Sequence, residues 1–306
     1  MKAVTHTEVY RPFEGTLHRR SLRFWPLLTA GIRTATKKKL PLLLLYGPPA
    51  IATVVFSFII YGTYIAEQGV RVITDGQGNG VQANMASMFA KHVMQQVQVK
   101  NLIVQFYRIM VWFALLGTSW YGSGLFADDR RLGAHQLYFA RPLTRLDYLL
   151  GKLLIVGFFA ACALMLPGIL ICSMAAFTSP NWSFVREQWD VILETFAYSS
   201  VWISIASLAI LAVSSLASKR VFSLVGMFAI FVITFAFGAL LGEVVDRRFF
   251  AVSPIWSIWR VGDALLGGEA GPDGPPLATA VWALAGYATL FLSVISWRVR
   301  RLEVVA

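Results

Sequence analysis

Charged residues avoid six long windows of the chain, 40 to 66, 109 to 127, 153 to 185, 195 to 218, 221 to 242 and 274 to 297, and mostly apolar residues fill them. Crossing ~30 Å of hydrocarbon as a helix takes about 20 apolar residues, so each window holds one span. A charge at mid-membrane costs about 2.5–3.5 kcal/mol, while a Leu returns only about 0.3–0.6. The pattern therefore predicts an all-α integral membrane protein with six transmembrane helices, at about 41–65, 107–127, 149–175, 195–217, 221–242 and 277–297. The next uncharged run, GQGNGVQANMASMFA at 76 to 90, is too short and too polar to span. Three parts result: a lead-in at 1–39, a six-helix domain at 40–297 and a tail at 298–306. The first window follows 39 residues bearing nine Lys/Arg and exceeds the length of a signal-peptide core, so it is expected to remain in the mature protein.

The segments between windows add detail. Pro26 can open a helix with Leu28, Ile32 and Ala35 on one side and Arg33 and Lys37 to Lys39 following, as expected of an N-terminal interfacial helix. Pro48 and Pro49 inside the first span leave carbonyls without donors, so a kink or local unwinding is expected there. Lys219 and Arg220 make a tight turn between spans four and five, and Phe228, Phe231 and Phe235 form an apolar stripe for helix packing or lipid. Before the last span, FFAVSPIWSIW between Arg248 and Arg260 is too short to cross. It predicts a membrane-dipping outer segment with tryptophans at headgroup level.

Composition sharpens this picture. At 14% charged and 57% hydrophobic the chain departs far from the roughly 25% charged of soluble domains. The net charge of +11 is unevenly placed: 19 Lys/Arg lie on the side of the two termini and 8 on the opposite face. Because Arg33 and Lys37 to Lys39 abut the first span, the positive-inside bias places both termini in the cytoplasm. Topology and anionic lipid headgroups account for the basic balance, and no nucleic-acid function is called for. Cys162 and Cys172 lie in an apolar stretch and offer neither a disulfide framework nor a Cys-x-x-Cys site. Met85, Met88 and His92, at i, i+3 and i+7, are weak candidates for a Cu(I) site, with packing on the membrane or a partner as the commoner use of such a stripe. Asn181-Trp182-Ser183 is a glycosylation sequon that matters only in a eukaryotic secretory pathway.

The connection between spans two and three, residues 127 to 154, carries the most information. Asp128 and Asp129 mark the exit of the second span, and Arg141-Pro142 ends any helix that follows, because the residue before proline avoids the α region. Thr144-x-x-Asp147 before Tyr148-Leu149-Leu150 is a capping-box pattern that starts the third span, and Lys152 in its first turns is placed to snorkel. A short stiff helix is expected between the two fixed ends.

This stretch resembles the membrane subunits of ATP-binding-cassette (ABC) transporters of the type-2 exporter class. Their pattern is an acidic residue, Gly-Thr, Ser/Ala-Arg-Pro, then Arg-x-x-Tyr-x-x-Gly-Lys. The chain offers Asp129, Gly133, Ala140-Arg141-Pro142, Arg145, Tyr148, Gly151 and Lys152, with Ala134 in place of the Thr. The motif covers about 25 residues, and the interfacial helix, six spans and dipping segment extend the likeness over nearly the whole chain.

The resemblance implies an exporter permease in the bacterial inner membrane that pairs with a second permease copy or a paralogue. Its coupling helix would dock on a cytoplasmic ABC ATPase, present in two copies, through Asp128, Asp129, Arg130, Gly133, Arg141, Pro142, Arg145, Tyr148, Gly151 and Lys152. ATP and Mg would bind that partner, since no Gly-x-x-x-x-Gly-Lys-Ser/Thr occurs and Gly151-Lys152 is followed by Leu153. The chain is not expected to be an enzyme by itself or to hold a cofactor. Uncharged, aromatic-rich spans favour an amphiphilic cargo whose identity the residues do not encode. Two other readings stand beside this one: an ion-coupled secondary transporter, which usually buries a charge at mid-membrane, and a non-transporting membrane scaffold.

Overall fold

The computed structural model describes residues 24–37, 39–75, 98–133, 144–179, 182–267 and 274–301, the side chains of 67–75 and 130 excepted. Among these residues the regular structure is helical: α1 (Trp25–Thr36), α2 (Lys39–Asp75), α3 (Val99–Arg131), α4 (Arg145–Thr178), α5 (Ser183–Glu187), α6 (Trp189–Leu216), α7 (Arg220–Val244), α8 (Pro254–Leu265) and α9 (Leu277–Arg300). A 3-10 turn, Arg247–Val252, precedes α8. Six helices, α2, α3, α4, α6, α7 and α9, are long and apolar enough to cross a membrane.

Local chemistry sets the helix ends. Pro26 and Pro254 occupy first turns, where a missing N–H costs nothing. Gly133 and Gly267, at φ of +67° and +63°, follow α3 and α8 in the left-handed region that an L side chain avoids. The helices overrun the uncharged windows: α3 starts at Val99 and α6 at Trp189, so Lys100, Arg108, Asp190 and Glu194 are helical. Cross-helix ion pairs satisfy these charges, which removes the electrostatic reason to end a helix at the window's edge.

The expected unwinding at Pro48-Pro49 is not seen, because α2 runs through both prolines without a break. Thr53 Oγ1 donates to the Pro49 carbonyl at 2.7 Å on the same segment.

α3 and α6 form the centre of the bundle, with 67% of the most apolar stretch of each buried; the figures for α2, α7 and α9 are 22%, 17% and 22%. Glycines bring the backbones together, since a Cβ on Gly117 would collide with Leu45 and one on Gly122 with Ile210. Ser214 Oγ donates to the Ser123 carbonyl at 2.9 Å and accepts from the Phe126 N–H at 3.1 Å, stitching α6 to α3. A π-helical stretch, Ala161–Met165, interrupts α4. There the buried Tyr107 hydroxyl donates to the Leu164 carbonyl at 3.4 Å and lies 2.5 Å from Ser199 Oγ.

The segment around α8 is folded onto the bundle. Trp256 stacks on Phe235 with centroids 5.1 Å apart and donates to its carbonyl at 3.3 Å, and Trp259 packs edge-on against both rings. Trp256 and Trp259, both half-buried, thus join an aromatic cluster with α7, and Phe231 of the predicted stripe is buried.

Candidate functional site

One end of the bundle gathers α1, the last turns of α3 and α6, the first turns of α4 and α7 and the end of α9. Arg298 of α9 donates to the Ser215 carbonyl at 3.2 Å, Arg220 of α7 reaches Ser123 Oγ at 3.3 Å and the Trp120 carbonyl, and α1 lies on α4. This is called the basal end below.

At its centre the exit of α3 is clamped to the entry of α4. Tyr148 and Lys152 are one turn apart on α4 and face α3 together. The Tyr148 hydroxyl donates to Asp129 Oδ2 at 2.7 Å, Lys152 Nζ lies 2.7 Å from the same oxygen, and the ammonium sits 5.5 Å over the Tyr148 ring. The pair is enclosed, with side chains 5% and 15% exposed for Lys152 and Asp129. The expected snorkelling of Lys152 is therefore corrected: its stem points into the bundle because a carboxylate, and not water, meets the ammonium.

The capping box forms in full. Asp147 N–H donates to Thr144 Oγ1 at 3.1 Å, and Thr144 N–H donates to Asp147 Oδ2 at 3.1 Å. Two otherwise orphaned donors at the start of α4 are satisfied.

α1 is locked on the other face of α4. A Cβ on Gly151 would come within 2.6 Å of a Leu27 methyl, and one on Gly31 would collide with Ile155, so two glycines set a close crossing that buries Leu27. Leu28, Ile32 and Ala35 pack beside it, as the sequence predicts. Between α1, α3, α4 and α7 remains a cavity of about 290 Å³, whose walls include Leu27, Gly31, Tyr121, Asp128, Asp129, Lys152 and Arg220.

Of the predicted coupling residues, Asp128, Asp129, Tyr148, Gly151 and Lys152 converge here. Asp128 folds back over Gly124 and lies 4.0 Å from Arg131. Arg145 is exposed at the first turn of α4 and Gly133 closes α3. Arg130 is helical, while Arg141, Pro142 and the expected helix between them and Asp129 lie outside the described residues, as do Met85, Met88, His92 and Asn181. Sequence reasoning missed Leu27, Gly31, Tyr121 and Arg220. The i, i+4 pair Leu27 and Gly31 on the apolar face of α1 was the available signal.

The opposite end carries its own ion pairs. Lys100 of α3 meets Asp190 at 2.9 Å and Glu194 at 3.2 Å on α6. Arg108 binds both carboxylate oxygens of Asp263 on α8 at 2.8 Å and lies 5.9 Å from the Trp259 ring centroid. Burial pushes the Asp263 carboxyl above its ordinary range, and the Arg108 guanidinium pulls it part of the way back.

Among the described residues no group of three or more His, Cys, Asp or Glu could hold a metal ion. The chain matches no protein-family model and no curated protein. What the fold and composition establish is a helical membrane protein with six helices able to span.

Proposed function

We propose that the chain is the permease subunit of an ABC exporter, paired with a second permease and driven by a separate cytoplasmic ATPase. The observation that carries this reading is the clamp of Asp129, Tyr148 and Lys152. It ties together the two helix ends that flank residues 132–143 and is backed by the capping box and by α1. A motor pushing on a connection transmits a rigid-body rotation only if both ends of that connection are fixed to the helices that must move. On this reading the basal end faces the cytoplasm, Arg141 and Arg145 meet the ATPase, and ATP and Mg stay on the partner. An amphiphilic cargo moves where two copies meet.

The ion-coupled alternative has less support, because the charges placed on the spans sit near their ends and pair with one another. Charge reversal at Arg141 or Arg145 is expected to detach or uncouple a co-purifying ATPase while leaving the helical content of the chain unchanged. Undiminished association and ATP hydrolysis in both variants overturns the proposal. Uptake by the chain alone in liposomes under an ion gradient favours the secondary transporter.

A further inference from the structure

At one corner of the basal end the charge has a single sign. Lys219 and Arg220 join α6 to α7, and Arg298, Arg300 and Arg301 close α9, while the stretches 215–220 and 297–301 hold no carboxylate. Arg298 ties the two stretches together: its Nε donates at 3.2 Å to the carbonyl of Ser215, four residues before Lys219. Among the described residues no carboxylate lies within 4 Å of Lys219, Arg298, Arg300 or Arg301. At the opposite end the signs mix, as in Arg186-Glu187 and Asp246-Arg247.

Arg298 and Arg301 are three residues apart and so are neighbours on the surface of α9. The first is half-buried and held by α6, and the second has its guanidinium carbon 4.1 Å from the Trp297 ring centroid. A carbonyl and an aromatic ring fix the two cations without neutralising either. Neighbouring, fixed guanidiniums that lack a counter-ion suit a phosphate, which can accept from both.

The same face of α9 continues along the span as an apolar stripe. Trp282, Leu290 and Trp297 are exposed and fall with Arg301 at the i, i+8, i+15 and i+19 spacing that keeps to one side of a helix. Leu216, Val221 and Phe222, close to Lys219 in the chain, are exposed as well. A soluble anion would leave this apolar surface bare, whereas a lipid covers it with an acyl chain while its phosphate meets the cations. A zwitterionic headgroup would bring an ammonium among four cations, a repulsion that a headgroup of net negative charge avoids. We propose that the basal corner of α6, α7 and α9 binds an anionic phospholipid of the adjoining leaflet. Its phosphate lies between Arg298 and Arg301, supported by the field of Lys219 and Arg300, and an acyl chain runs along Trp297 and Leu290. The site asks only that the chain span the membrane, so its failure leaves the exporter reading standing, and the reverse holds.

The test is thermal unfolding of the full chain in a neutral detergent at low ionic strength. Phosphatidylglycerol, phosphatidylethanolamine or phosphatidylcholine of the same acyl chains is added, or inorganic phosphate alone. Phosphatidylglycerol is expected to raise Tm most. That excess should vanish when Arg298→Gln and Arg301→Gln are combined, and persist when Arg33→Gln and Lys37→Gln remove two exposed cations of α1 at the same end. Equal shifts with all three lipids, or an excess that survives the α9 substitutions, overturns the proposal. An excess lost as fully in the α1 variant as in the α9 variant reduces the effect to the general basic charge of this end and overturns the site. An equal rise with inorganic phosphate alone overturns the lipid assignment. Should the α9 variant fold poorly, the wild-type chain is crosslinked with phosphatidylglycerol and phosphatidylcholine probes that carry the same photoreactive acyl chain. Label on peptides containing Leu290 or Trp297 in excess for the phosphatidylglycerol probe supports the site. Equal label from the two probes, or label confined elsewhere, overturns it.

Discussion

The two ends of the bundle both use charge, and they use it differently. At the basal end Asp129 and Lys152 are enclosed, joined by a tyrosine hydroxyl, and close a connection between consecutive spans. At the opposite end Arg108 is 40% exposed against a buried Asp263, and Lys100 shares two partly exposed carboxylates. The basal pair makes α3 and α4 one mechanical unit, whereas the opposite pairs hold α8 and α6 against α3 from the rim. On the exporter proposal, a force applied to the connection between α3 and α4 would reach both helices at once.

Single substitutions should separate the two ends. Lys152→Met leaves the Asp129 carboxylate buried without its cation and is expected to cost about 3–5 kcal/mol, read as a large drop in the detergent Tm. Adding Asp129→Leu should restore part of the loss, because a matched apolar pair is often neutral while the buried Tyr148 hydroxyl loses its Asp129 acceptor. If the double variant is no more stable than the single one, the pair is not the source of the effect. Thr144→Ala removes the cap of α4 and is expected to cost about 1 kcal/mol. Lys100→Ala breaks a network that is partly exposed at Asp190 but leaves a buried Glu194 oxygen without its cation, so its cost should lie above the about 0–1 kcal/mol of an exposed pair and below that of Lys152→Met. A larger loss at Lys100 than at Lys152 would reverse the comparison.

The Asp263 carboxyl supplies a pH signature at the far end. Its pKa in the fold lies above the ordinary value, so between the two values the folded state binds the proton more tightly than the unfolded chain. Stability relative to Asp263→Asn should therefore rise as pH falls from above the raised value toward 3.8, and fall as pH rises through the same window. Parallel Tm profiles for the two proteins across pH 3 to 7 would remove this assignment.

The spans were legible because desolvation leaves a one-dimensional mark, the absence of charge over a membrane thickness. The capping box and the helix opened by Pro26 were equally legible, since their partners lie within four residues. What the sequence withheld is pairing across distance. A charge that bounds a window looks the same whether water or a carboxylate meets it. Nothing local marks Lys152 as buried against Asp129, or Arg108 as the partner of Asp263, 155 residues away. The close approach of α1 was hidden for a related reason: Gly31 and Gly151 signal it only when Ile155 and Leu27 are known to face them.

If the exporter proposal holds, the basal end faces the compartment of the proposed ATPase. Leu132, 72% exposed just past the clamp, is the place to ask. With Leu132→Cys in a chain lacking Cys162 and Cys172, a membrane-impermeant maleimide is expected to label inverted vesicles and to spare intact cells. Labelling of intact cells, with inverted vesicles spared, would contradict the account.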